Sequence, residues 1–143
     1  MKKEYGRSMI EMLGVLAIIG VLSIGGLAGY TMAMNRHRAN VVSDYVSRCV
    51  VIAQTSGDGM TLKTGDCATI TNETKPSAIT TGDANLKASG NNVVVEVTVA
   101  PAVADILEDR DSGHITVAKK NGASATDGVV TFTFADAANG MKS

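Results

Sequence analysis

Few residues of this 143-residue chain are of types that do chemistry, and most are placed where they would do none. His37 and His114 are far apart in sequence and far from the two cysteines, and His37 sits inside a basic cluster, Arg36-His37-Arg38. A zinc site draws on three or four ligands at short spacings, and neither histidine has them. Asp105, Asp109 and Asp111, followed by Gly113, form an acid cluster whose spacing does not match a calcium-binding loop, and it reads as a solvated helix end and turn. No glycine-rich phosphate loop, dinucleotide fingerprint or nucleophile elbow is present. These residues predict no enzyme, no metal site and no cofactor. A net charge of -1, 3% aromatic residues and no Trp provide neither the basic surface nor the stacking platforms of a nucleic-acid site. Asn72-Glu73-Thr74 matches a glycosylation sequon and carries no further weight. Cys49 and Cys67, 18 residues apart, leave two readings open: a disulfide if the region is exported, or two free thiols.

The residue that stands out is Glu11. It precedes 23 uncharged residues, Met12 to Met34. A spanning helix needs about 20 such residues. The run is longer than the apolar part of a secretory signal, has no small-residue cleavage site after it, and is apolar on every face, unlike a soluble core helix. A carboxylate at the centre of such a helix costs about 2.5–3.5 kcal/mol, and less near its end. Glu11 can therefore be a boundary acid, or one favoured by the positive end of the helix dipole. Gly25 and Gly29, four apart, suit close helix packing between membrane helices, or are simply glycines of a Gly-rich membrane helix. Lys2, Lys3 and Arg7 before the run nearly balance Arg36 and Arg38 after it, so the positive-inside rule gives little orientation. The cysteines and the strand-rich C-terminal part favour a cytoplasmic N-terminus.

A short basic leader, a Gly, four residues, a Glu and a long apolar helix occur together in KKEYGRSMIEMLGVLAIIGVLSIGG. This stretch resembles the type IV pilin family, which includes the pilin-like subunits of type II secretion. The resemblance covers about residues 1–55. It implies that prepilin peptidase cuts between Gly6 and Arg7 on the cytoplasmic side and methylates the new N-terminus at Arg7, and that Glu11, fifth in the mature chain, sets subunit register during assembly. Two positions depart from the common pattern. Arg7 stands where many members have Phe, and the apolar helix has no Pro, leaving Gly20, Gly25, Gly26 and Gly29 as its weak points.

These residues need elements to hold them. Val42, Tyr45, Val46, Cys49, Val50 and Ala53 keep to one helical face, so the spacing predicts one helix from about Met9 to Ala53, with a membrane half and an amphipathic half, stopped by Thr55-Ser-Gly-Asp-Gly59. Residues 56–91 read as a long polar loop with a short strand around Cys67–Thr71. The period then changes to two. Strands are predicted over Asn92–Ala100, His114–Lys120 and Gly128–Ala135, with a short helix over Ala102–Arg110 that turns Val103, Ile106 and Leu107 inward. Residues 121–128 form a turn and 136–143 a mobile tail. The expected fold class is α+β: a long N-terminal helix packed on a small antiparallel sheet of three to four strands, as in the type IV pilin fold. The expected organisation is a leader over 1–6, a transmembrane or filament-core helix over 7–34, and a soluble domain over 35–143 (helix 35–55, loop 56–91, sheet region 92–135, tail 136–143).

Functionally, the resemblance implies a structural subunit that polymerises with copies of itself into a pilus for adhesion, motility or DNA uptake. Its partners would be prepilin peptidase and the pilus assembly machinery of the inner membrane. It would reside in the inner membrane as precursor and on the bacterial surface afterwards. A pseudopilin of type II secretion shares the same N-terminus. A membrane-anchored periplasmic enzyme or binding module would leave Glu11 and the Gly6 spacing unexplained.

Overall fold

A computed structural model describes residues 2–56, 61–121 and 128–138. The chain divides into two compact units, Met1–Met34 and Asn35–Ser143. Helix α1, Lys2–Thr55, contributes to both. No Pro interrupts it, and its apolar stretch is dominated by Leu, Ile, Met, Val and Ala. The polar side chains of that stretch turn back on their own helix: Ser23 Oγ donates to the Ile19 carbonyl at 2.7 Å, and Thr31 Oγ1 to that of Ala28 at 2.9 Å. Such back-bonding satisfies the hydroxyls within the helix itself, as an apolar surrounding would require.

In the second unit, the α1 residues on the predicted face (Val42, Tyr45, Val46, Cys49, Val50 and Ala53) are all buried. They share one hydrophobic cluster with the inner face of an antiparallel sheet. The sheet has five strands: β1 (Gly65–Asp66), β2 (Asn85–Ser89), β3 (Asn92–Val99), β4 (Ile115–Asn121) and β5 (Gly128–Phe134), in spatial order β1-β2-β3-β5-β4. Alternation fixes the inner face. Val93, Val95, Val97 and Val99 of β3 are buried, while their neighbours are half-buried. The register places Leu86, Val95, Phe132 and Val117 side by side across four strands.

The strand expected around Cys67–Thr71 is instead a short helix, α2, Cys67–Thr71. It buries Cys67 and Ile70, three apart. A strand's alternation would have turned one of the two outward, whereas one helical turn faces both inward. The loop expected over 56–91 also holds β1 and β2. β2 is short and polar, and pairs through Leu86 and Ala88 against β3. The expected tail begins with an anchored turn: Ala138 is buried and its N–H donates to the Asn91 carbonyl at 2.9 Å. Residues 139–143, 122–127 of the expected turn, and 57–60, which include the last three residues of the expected helix stop, lie outside the described residues.

Helix α3, Pro101–Glu108, starts on a Pro, whose missing N–H costs nothing in a first turn, and buries Val103, Ala104 and Leu107. It links β3 to β4, which run parallel on either side of β5. It lies so close to β5 that a Cβ on Gly128 would stand 2.8 Å from the Ala104 Cβ. Gly128→Ala is therefore expected to push α3 off the sheet and cost about 1–3 kcal/mol, the usual penalty for overpacking. Urea denaturation of the detergent-solubilised chain measures this, and an unchanged midpoint would mean that α3 yields freely.

Candidate functional site

Unit 1 is a stretch of helix α1 whose large apolar side chains are exposed. The part of α1 that is long and apolar enough to cross a membrane has no buried residue among those described. Ile18, Val21, Leu22, Ile24 and Leu27 are each more than half exposed, on all sides of the helix. Glu11 stands within this surface between Ile10 and Met12, which are 71% and 69% exposed. Among the described residues it has no ion-pair or hydrogen-bond partner. Ser8, Met12, Val15 and Leu16 surround it in a shallow apolar hollow. Gly25 and Gly29 lie open: a Cβ added at either meets nothing within 4 Å. Gly6 and Arg7 fall in the first two turns of α1, and their side chains lie outside the described residues.

In unit 2, Cys49 of α1 and Cys67 of α2 form a disulfide, with Cα atoms 5.4 Å apart and both residues fully buried. Of the two readings open in the sequence, the structure has the bridge. Beside it is a polar clamp that sequence patterns did not reveal. Asp83 accepts from the Tyr45 hydroxyl at 3.1 Å through Oδ1 and from the Ala68 N–H at 2.7 Å through Oδ2. Its Oδ1 also accepts from the Ala84 N–H at 2.8 Å, and the Cys67 N–H donates to the Ala84 carbonyl at 2.8 Å. One carboxylate thus ties α1, α2 and the start of β2 together. The only sequence cue was Gly82 before it, a residue that adopts φ +67° and turns the chain so that Asp83 faces α1.

The remaining candidates scatter. His37 and His114 are exposed, on α1 and just before β4. Asp105 pairs with Lys119, and Asp109 caps the end of α3. Among the described residues no group of three or more His, Cys, Asp or Glu is placed to hold a metal ion.

Burial, the Asp83 charge and the hydrogen bond to Asp83, in that order, raise the Tyr45 phenol above its ordinary value of 10.0. In the unfolded chain this phenol ionises near about pH 10. The stability it supplies is complete below that pH and is lost as pH rises toward the higher folded value. Tyr45→Phe is expected to cost about 1 kcal/mol at pH 8, from the lost hydrogen bond. The gap to the parent should narrow at pH 11, and urea midpoints at the two pH values test it. Replacing both Cys49 and Cys67 by Ser is expected to cost about 3 kcal/mol in the chain-entropy treatment of a loop of this length. The same denaturation series reads that loss, and an unchanged midpoint would leave the bridge without a stabilising role.

Compared with known proteins, the chain matches no family model, no curated protein and no solved structure.

Proposed function

We infer that this chain is a structural subunit which polymerises, through its N-terminal helix, into a filament of the type IV pilus kind. The observation that carries the reading is a carboxylate, Glu11, without an ion-pair or hydrogen-bond partner among the described residues and set in an apolar stretch of helix whose side chains are exposed. Lipid covers such a helix but gives the carboxylate nothing. A bundle of parallel copies covers the helix and can also neutralise the charge. Cleavage between Gly6 and Arg7 would free an amine on Arg7, and that amine on one copy can meet Glu11 of the next. Each charge alone in an apolar bundle is costly, and removing one partner of a buried pair typically costs about 3–5 kcal/mol. Subunits that slide out of step pay that penalty, so the pair acts as a register pin. The α+β head with its buried disulfide suits the exported side of the membrane, where thiols are oxidised. On this reading the precursor sits in the inner membrane, prepilin peptidase and the assembly machinery act on it there, and the product is a surface fibre.

Intact mass of the chain in material sheared from the cell surface tests the reading. A chain beginning at Arg7, one methyl heavier and lacking two hydrogens for the bridge, is the expected species. A processed chain found only in membranes would favour the short periplasmic filament of type II secretion, and a chain retaining residues 1–6 in cells with active peptidase would overturn the reading. Glu11→Ala is expected to leave membrane insertion intact and reduce filaments by at least about tenfold, the factor of a 1.4 kcal/mol penalty. Normal filaments from this variant would remove the register role.

A further inference from the structure

We propose that a second contact between copies pins the heads: the basic collar Arg36-His37-Arg38 of one subunit docks on the acidic groove around Asp44 and Glu73 of the next. This rests on the filament reading above. The groove lies within the second unit, between α1 and the segment after α2, and is lined by Val41, Asp44, Tyr45, Arg48 and Glu73. Arg48 stands 3.9 Å from Glu73, with both side chains at least half exposed, so the groove keeps one uncompensated negative charge at Asp44. Asp44 is exposed and has no ion-pair or hydrogen-bond partner among the described residues. Arg36 and Arg38 are likewise exposed and without such a partner.

The other cations of this unit are mostly engaged. Lys75 donates to the Gly82 carbonyl, Lys87 pairs with Glu96, Arg110 bonds Asn40 and Lys119 pairs with Asp105. Among the described residues, Lys63 and Lys120 alone share the unengaged state of the collar, and neither lies on α1. The collar and the groove lie on the same helix, which gives their pairing a direction. Arg36 and Arg38 flank the Val41–Asp44–Arg48 face at about 100° to either side of His37, so they reach sideways toward a neighbour and not into their own groove. Arg38 and Arg36 precede Asp44 by six and eight residues, or about 9 and 12 Å along the helix. Pairing them between copies therefore offsets the copies along the axis in one sense, with the flexible Arg side chains taking up the difference from the four-residue spacing of Arg7 and Glu11. The two surfaces are different patches, so the contact is head-to-tail and does not close on itself, which is the geometry of an open filament. It has the same sense as the Arg7 amine on Glu11, where the base also precedes the acid. An exposed ion pair is weak singly, but complementary charge selects register and excludes wrong neighbours, and every copy repeats it.

The test is a charge exchange in the full chain, expressed in cells with an active prepilin peptidase. Filament yield is read in the sheared fraction and processed subunit in the membrane fraction. Asp44→Arg, and separately Arg36→Glu with Arg38→Glu, are each expected to lower sheared filaments about tenfold, because like charges then face each other. Membrane levels of oxidised subunit should stay unchanged, which shows that the head still folds. The chain carrying all three substitutions is expected to recover to within about twofold of the parent. Parent-level filaments from either reversal, or failure of the triple variant to recover while the parent polymerises, would overturn the contact and leave the filament reading standing. If the unsubstituted chain sheds no filaments, the filament reading falls, and this contact falls with it.

Discussion

Twelve large apolar side chains between Met12 and Met32 are more than half exposed. Covering a side chain of this size is worth about 1.5–3 kcal/mol when burial is complete, so the uncovered stretch represents on the order of 20 kcal/mol in water. A folded domain has only about 5–15 kcal/mol of stability in total. This surface is as exposed in the unfolded chain, so it does not subtract from the stability of the head; it is a drive for the helix to leave water, which lipid or other apolar helices would satisfy. The back-bonded Ser23 and Thr31 and the open Gly25 and Gly29 are consistent with either environment. On the filament reading proposed above, Glu11 favours other copies, because lipid gives a carboxylate no partner.

The head meets a different problem with the same helix. Its core is built of Val, Ala and Leu, with Phe132 and Tyr45 the only buried aromatics. Small side chains bury little area each, so such a core gains less from the hydrophobic effect than an aromatic one of equal count. Covalent and polar ties make up the difference. The Cys49–Cys67 bridge and the Asp83 clamp act at one place, where α1 meets α2 and the start of β2. That region has the least regular structure of its own, since α2 is five residues long and β1 only two. The strongest ties thus hold the part of the sheet with the weakest strand pairing, while β3 and β5 hold together through a seven-residue ladder.

Charge is used in two ways along α1. In the apolar half it is scarce and its isolation makes it specific. In the head it is plentiful, and the described charged side chains divide between those paired within the chain and those left free in solvent. Arg36, Arg38 and Asp44 belong to this second kind. Solvation makes any pair among them weak, whereas repetition along a polymer would let weak pairs discriminate between registers. The two arrangements have different salt dependence, because exposed pairs are screened at physiological ionic strength and a pair shielded in an apolar bundle is not.

The α+β layout, the long helix, its apolar half and its buried face were all legible in the amino-acid order. Each rests on a periodicity: 3.6 for Val42 to Ala53 and two for Val93 to Val99. Glu11 was legible because it is an exception to a uniform background. The nature of the Cys67 segment, the existence of β2 and the role of Asp83 were decided only by tertiary structure. Cys67–Thr71 is too short to display a period, and its helix is selected by a disulfide and a carboxylate brought from elsewhere in the chain. Asn85–Ser89 has too few apolar residues to announce a strand and becomes one because β3 offers an edge. Asp83 looks like any loop aspartate until the fold carries it to Tyr45, 38 residues away. Local pattern sets which face of an element is apolar. Which isolated polar groups meet, and so where the head is fastened, depends on contacts that exist only once those faces have packed.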